Sequence, residues 1–410
     1  MAKSSLTYDN IQSFLDSKTT WSLCIGAGTN IPLLPDWYQL AENMINKYCS
    51  EEDRIPIEDL KNSGFSADAI IQAVRNHIGG TDEAFAEKLS NEVYAPIKNK
   101  LTLEEWEVFA SVHNSTSSSF SKKHASIFEH IIEKTFKDTT ANRLAPVVAQ
   151  ALLFNNCPRT ILTFNGEAIF LTLIRYYLAQ HTDKYTSKAR FDQVINGITN
   201  VHKDRIPYIH CHGILPITGQ KVHIGKKAGE KLVFTEDKYL QLANSPMSWQ
   251  ALQFIDACMY SRIVFIGVSL TDPNMRRWLS WIHTNKMEEL ENNGLKDDNR
   301  TPTEHYWIRT RPSTDVEKIW IEESVAHLGV RLVWINNYNQ VGDVLKKMLG
   351  LKESPANRKP RAPAKKVATS QRKANNRFKS KKHQSPGYTK KKERTYSKSH
   401  TSTRTWHSDH

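Results

Sequence analysis

Two hydrophobic periods alternate along this chain. A continuous apolar run over residues 20–25 ends in Gly26-Ala27-Gly28, and beyond Asp36 the positions Trp37, Leu40, Ala41, Met44 and Tyr48 fall at i, i+3, i+4, i+7 and i+11. The first pattern suits a buried strand, and the second is one face of a helix with Asp36 as its N-cap. A leading helix is expected over residues 7–19. Further strands are expected at residues 159–165, 206–212, 262–268, 305–309 and 330–335, with a short extended piece at 232–234. Helices are expected at residues 168–178, 235–243, 249–259, 273–281 and 316–328.

Residues 51–156 interrupt this alternation. Helical composition recurs at 67–78, 82–89, 127–134 and 146–155, and 115–121 reads as a polar loop. No catalytic spacing occurs in this stretch, and His77, His113, His124 and His130 read as surface or helix-packing residues. Strands spaced by helices, several of them continuously apolar, indicate an α/β fold: a Rossmann-like, mainly parallel sheet with helices on both faces. The expected organisation is one such domain from residues 1–50 and 157–350, a helical insertion subdomain at 51–156, and a tail at 351–410.

Charge sets that tail apart. The net charge is +13, yet residues 351–410 hold 18 Lys/Arg against 3 Asp/Glu, while residues 1–350 hold 38 against 40. Leu351 and Val367 are the tail's branched aliphatics, too little apolar area to offset chain ordering, so a disordered tail is expected. Phe378, Tyr388, Tyr396 and Trp406 lie between its charges, which suits stacking on nucleic-acid bases beside phosphate contacts. A solubilising tail, or one docking on an acidic protein, remains open.

Composition also narrows the compartment. No apolar run reaches the roughly 18 residues of a membrane span, and the first residues are too polar for a signal peptide. The five cysteines (Cys24, Cys49, Cys157, Cys211 and Cys258) show no Cys-x-x-Cys spacing. This argues for a reducing, cytoplasmic setting and against a zinc module, so no metal is expected.

Ligands of open parallel sheets bind outside the C-terminal strand ends. Those ends carry Gly26-Ala27-Gly28, Thr163-Phe164-Asn165, His212-Gly213 and Gly267-Val268-Ser269. Glycines let backbone approach an anion, and a helix start can receive it. Each group has an ordinary explanation as a turn former, a satisfied histidine or a helix cap. Their succession at four strand ends favours one site.

This order resembles the sirtuin family, whose pattern is Gly-Ala-Gly, Thr-x-Asn-x-Asp, a strand ending in His-Gly, and a Gly-x-Ser turn. The stretches His212-Gly213-Ile214-Leu215-Pro216 and Gly267-Val268-Ser269-Leu270-Thr271-Asp272-Pro273 look most like the zinc-free sirtuin-like proteins of bacterial anti-phage defence. Glu167 stands where the family usually has aspartate. The resemblance implies NAD+ as substrate, cleaved at the nicotinamide–ribose bond to nicotinamide and ADP-ribose. It implies Asn165 and His212 as catalytic residues, Asn165 on the ribose or water and His212 as base, with His210 on the same strand face as the alternative. Gly26, Ala27, Gly28, Thr29, Asn30, Thr163, Glu167, Gly267 and Ser269 would bind the dinucleotide. By the same analogy the enzyme would be a gated homo-oligomer with a helicase-like ATPase or phage-derived activator. A non-catalytic nucleotide sensor and an ADP-ribosyltransferase are the competing classes.

Overall fold

A computed structural model describes residues 5–17, 19–115, 122–181, 191–197, 199–219, 232–245, 247–295 and 304–352. The tail from residue 353 and most of the loop expected at 115–121 lie outside the described residues. Among those described, seven strands form one sheet: β1 (Trp21–Ile25), β2 (Ile161–Thr163), β3 (Phe191–Val194), β4 (Ile206–His210), β5 (Arg262–Ile266), β6 (His305–Thr310) and β7 (Val330–Ile335). Their spatial order is β3-β4-β2-β1-β5-β6-β7, and every pairing is parallel.

The alternating side chains of β1 show why both faces are covered. Leu23 and Ile25 enter one apolar cluster with helices Trp37–Tyr48 and Ile169–His181, whereas Cys24 enters another with helices Trp249–Tyr260 and Pro273–Asn292. Asp36 caps the first of these helices, accepting the Gln39 N–H at 2.8 Å. Residues 51–156 supply helices Ile57–Asn62, Ala67–Ile78, Asp82–Lys98, Leu103–His113, Lys122–Ile131 and Thr140–Leu153. Ile71, Leu89, Phe109 and Leu144 from this stretch join the same cluster as Leu23 and Ile25. The helices therefore bury their apolar faces in the core beneath the sheet.

Several elements differ from the pattern-based expectation, each for a local reason. The helix begun at Asp82 continues to Lys98 because the polar residues that hide it are buried and paired. Ser90 donates to Pro216 O at 2.8 Å, and Glu92 receives Lys47 and the Tyr48 hydroxyl. Strand β3 was not expected because its sequence, Phe-Asp-Gln-Val, carries a buried charge; Asp192 is held by Arg205 at 2.9 Å and by the His202 N–H at 2.7 Å. Residues 232–234 are extended without joining the sheet. Phe234 instead packs on Trp37, with ring centroids 4.9 Å apart, and the Val233 N–H donates to His212 O.

The strand order fixes where a ligand can enter. β1 lies between β2 and β5, and the chain proceeds outward from β1 to one edge before returning to build the other. Helix Trp37–Tyr48 after β1 and helix Pro273–Asn292 after β5 cover opposite faces of the sheet, so the topological switch point lies between these two strands and a crevice forms outside their C-terminal ends.

Candidate active site

The crevice begins with two loops joined backbone to backbone. Gly26 N–H donates to Ile266 O at 3.1 Å and Gly28 N–H to Gly267 O at 3.0 Å. A Cβ on Gly26 would lie 2.5 Å from Gly267 O, and one on Gly267, whose φ is +67°, would lie 2.6 Å from Thr29 N. Both positions therefore need glycine. The same contacts alter the expectation for Gly26-Ala27-Gly28, because the amides of both glycines already serve the β5 loop. The turn also uses the Thr29 and Asn30 N–H groups, donated to Gly26 O and Ala27 O. Its glycines shape the crevice floor by close packing.

Behind that turn lies a buried cluster. Glu167 Oε1 accepts Asn30 Nδ2 at 2.7 Å and Asn165 Nδ2 at 2.8 Å, and Oε2 accepts the Ile169 N–H at 2.5 Å. Burial raises the Glu167 carboxyl from 4.5 to about 7, against the lowering effect of those donors. Asn165 Nδ2 also faces Thr29 Oγ1 at 3.4 Å, and its backbone N–H donates to Thr163 Oγ1. Thr163 thus holds the turn. A carboxylate only accepts hydrogen bonds, so both asparagines turn their NH2 groups toward Glu167. Their carbonyl oxygens are left buried without a protein partner. Asn30, Asn165 and Glu167 line a small pocket of about 50 Å³, together with the apolar Leu40, Val93 and Phe234.

His212 lies on the other side of Phe164. It is 3 % exposed, with the Phe164 and Tyr239 rings set edge-on at 5.0 and 5.1 Å. Nδ1 is 3.4 Å from the Tyr239 hydroxyl, and Nε2, without a hydrogen-bond partner, is 3.9 Å from Asp272 Oδ2. The other Asp272 oxygen caps helix Pro273–Asn292 through the Asn274 and Met275 N–H groups. Burial pushes the imidazole below its ordinary 6.5, opposed by the Asp272 charge and a backbone hydrogen bond at Phe164. The lowered pKa favours the neutral ring, whose unpartnered Nε2 lies beside a carboxylate.

The main cleft, about 830 Å³, is lined by the Gly26–Gly28 turn, His212, Gly267, Ser269 and Asp272, and reaches Trp307 and Arg309 at the end of β6. Ala27, Trp37 and Phe164 line both the cleft and the small pocket, so the two adjoin. The fold thus brings together most of the expected residues, in two groups. Thr29, Asn30, Asn165 and Glu167 make the pocket end, while His212, Gly267 and Ser269 face the cleft. Ser269 is exposed there, with Oγ 2.7 Å from Thr271 Oγ1.

His210 is a correction. The strand ends at His210 and the chain turns through Gly213 at φ +78°, so the alternation that would keep His210 and His212 on one face does not extend that far. His210 is wholly buried, and burial together with Arg175 and His113 pushes it down to about 3. It does not line the cleft. Pattern reading missed Trp37, Tyr239, Asp272, Trp307 and Arg309. Asp272 had a legible signal, since Asp-Pro before a helical run is an N-cap followed by proline at N1. Arg309 stacks on Trp307 at 4.7 Å and gives the far end of the cleft a cation.

Residues 169–328 match the family model of the SIR2-like domain. The matched span carries His212, Gly267 and Ser269; the β1 turn and the Asn165–Glu167 loop precede it. That span is thus similar to the SIR2-like domain, and such a domain points to NAD-dependent activity in general. No curated protein matches the chain. Among the described residues, no helix is long and apolar enough to cross a membrane, and no group of three or more His, Cys, Asp or Glu side chains is set to hold a metal ion.

Proposed function

We propose that this protein hydrolyses NAD+ at the nicotinamide–ribose bond, releasing nicotinamide and ADP-ribose. The observation that carries the reading is the pair of buried, unpartnered carbonyl oxygens on Asn30 and Asn165, beside a small pocket that adjoins a cleft holding a neutral histidine. Two acceptors in an apolar recess suit the NH2 group of a carboxamide. The cleft volume lies in the range of small-molecule sites, roughly 300–1,000 Å³.

The chemistry asks little acid catalysis of the protein. Nicotinamide takes the electron pair of the broken C–N bond and leaves neutral, so no side chain need protonate it. Water supplies the new bond to the ribose carbon and loses its proton to His212 Nε2, where Asp272 offsets the positive charge that results. Asn165 holds the pocket end of the substrate. Arg309 answers the negative charge at the other end of the cleft.

The resemblance to zinc-free defence proteins extends the proposal to a gated cytoplasmic effector, a homo-oligomer that depletes NAD+ on a phage-derived or ATPase-partner signal and whose tail meets nucleic acid. The hydrolase reading is tested with NAD+ labelled in the ADP-ribose half. Free labelled ADP-ribose is expected; label transferred to protein would indicate an ADP-ribosyltransferase, and stabilisation by NAD+ without cleavage a sensor.

A further inference from the structure

We infer that His113 and Asn114, at the end of helix Leu103–His113, position the proposed hydrolytic site by tying the loop of Asn165 and Glu167 to the loop of His212. The inference rests on the hydrolase reading for its effect on turnover, and on geometry alone for the tie itself.

The hydrogen bonds fix one arrangement of protons. Asn114 Nδ2 donates to Ile217 O at 2.8 Å, and Asn114 Oδ1 accepts the Ile217 N–H at 2.9 Å. That pair decides which end of the amide is oxygen. The same Oδ1 lies 3.3 Å from His113 Nδ1, and an oxygen that cannot donate obliges Nδ1 to carry the ring proton. Nε2 of the neutral ring is then an acceptor, and it receives the Ala168 N–H at 3.1 Å. Ala168 directly follows Glu167. The orientation of the Asn114 amide, fixed by Ile217 of the loop after β4, thus sets the tautomer that holds the loop after β2.

Tyr94 braces the same junction. Its hydroxyl donates to Leu215 O at 2.7 Å and lies 3.1 Å from His113 Nε2. The loops also meet directly, where the Leu215 N–H donates to Gly166 O at 2.5 Å. His113 and Tyr94 are buried, and neither lines the cleft or the pocket. Their role is therefore positioning, exerted through the backbone that carries the reacting side chains.

The test compares His113→Phe and His113→Gln in the full chain. Phenylalanine keeps the ring packing against Tyr94 and Phe109 but leaves the buried Ala168 N–H without an acceptor, whereas glutamine can restore one. Removing a buried partner costs about 1–3 kcal/mol, so a kcat for nicotinamide release lowered roughly 5–150-fold is expected for His113→Phe, with KM changed less than about threefold. His113→Gln should recover most of that loss. Amide hydrogen exchange should quicken at residues 165–169 and 213–217 in His113→Phe, with β6 and β7 unchanged. Unchanged exchange at both loops, or equal damage in the two variants, would overturn the inference. Absence of nicotinamide release from the wild type would instead count against the hydrolase reading, and the exchange measurement would still decide the tie.

Discussion

Asn165 Nδ2 lies 2.8 Å from Glu167 Oε1, and this contact decides which end of the asparagine is left for a ligand. Asn30 is oriented by the same oxygen at 2.7 Å. Both carbonyl oxygens are thus left without a protein partner, and under the hydrolase reading they are the acceptors for the nicotinamide NH2. A carboxamide can satisfy them, but a carboxylate would meet two oxygens with none of the protons they need. Nicotinic acid adenine dinucleotide should therefore be cleaved with kcat/KM at least about 100-fold below that for NAD+, since buried polar groups left unpaired give discrimination of this size or more. Equal kcat/KM values would show that the pocket does not read the amide.

The ionisation of Glu167 gives a signed pH dependence. Its folded pKa of about 7 is raised above the ordinary 4.5, chiefly by burial. The folded state consequently holds a proton that the unfolded state releases between those values. This contribution to stability is fully present below about pH 4.5 and is lost as pH rises through about 7, amounting to about 3 kcal/mol. Activity should run the other way, because the charged carboxylate holds the two asparagine NH2 groups and the Ile169 N–H more strongly than the protonated acid does. Urea unfolding across this range should show a pH-dependent loss in the wild type that is absent from Glu167→Gln, and a parallel pH slope in the two proteins would contradict the assignment.

The Asp272–His212 pair gives a second titration. In the proposed reaction His212 acts when neutral, so activity should fall as acidification takes the pH through its lowered pKa, below 6.5. Asp272 raises that pKa from 3.9 Å away, and Asp272→Asn keeps an oxygen for the helix cap while removing the charge. The lower of the two acidic limbs of the kcat profile should move to lower pH in Asp272→Asn, while the limb set by Glu167 stays in place. A lower limb that stays in place would separate Asp272 from the base.

Much of the sheet was legible because its central strands are buried on both faces and read as apolar runs. Strand β3 was hidden by Asp192, whose charge is acceptable there only because Arg205 and His202 meet it. The end of helix Asp82–Lys98 was hidden in the same way by Ser90 and Glu92. At the site, glycines and polar residues at strand ends lie around the crevice, but sequence periodicity could not show that the Gly26 and Gly28 amides are already bonded to Ile266 and Gly267. Nor could it separate His210 from His212, because their difference depends on the residue at which the strand stops. His113 was read as a packing residue; its two ring nitrogens have partners over 50 residues and one residue away, and only the folded chain brings Ala168 to it.

The tail from residue 353 lies outside the described structure, and its proposed partner is tested by truncation. Removing residues 351–410 takes away 18 Lys/Arg. Nucleic-acid binding should weaken and lose most of its salt dependence, while NAD+ cleavage persists, since phosphate contacts set that dependence. Unchanged affinity and salt slope would assign the basic residues to solubility instead.

The most direct test of the central claim is the NAD+ content of cells followed in time after expression of the wild type or of Asn165→Ala, under conditions that activate the protein. The account predicts that NAD+ falls, with nicotinamide and ADP-ribose rising in step, in the wild type alone. The same NAD+ loss in both, or none in either, would contradict it.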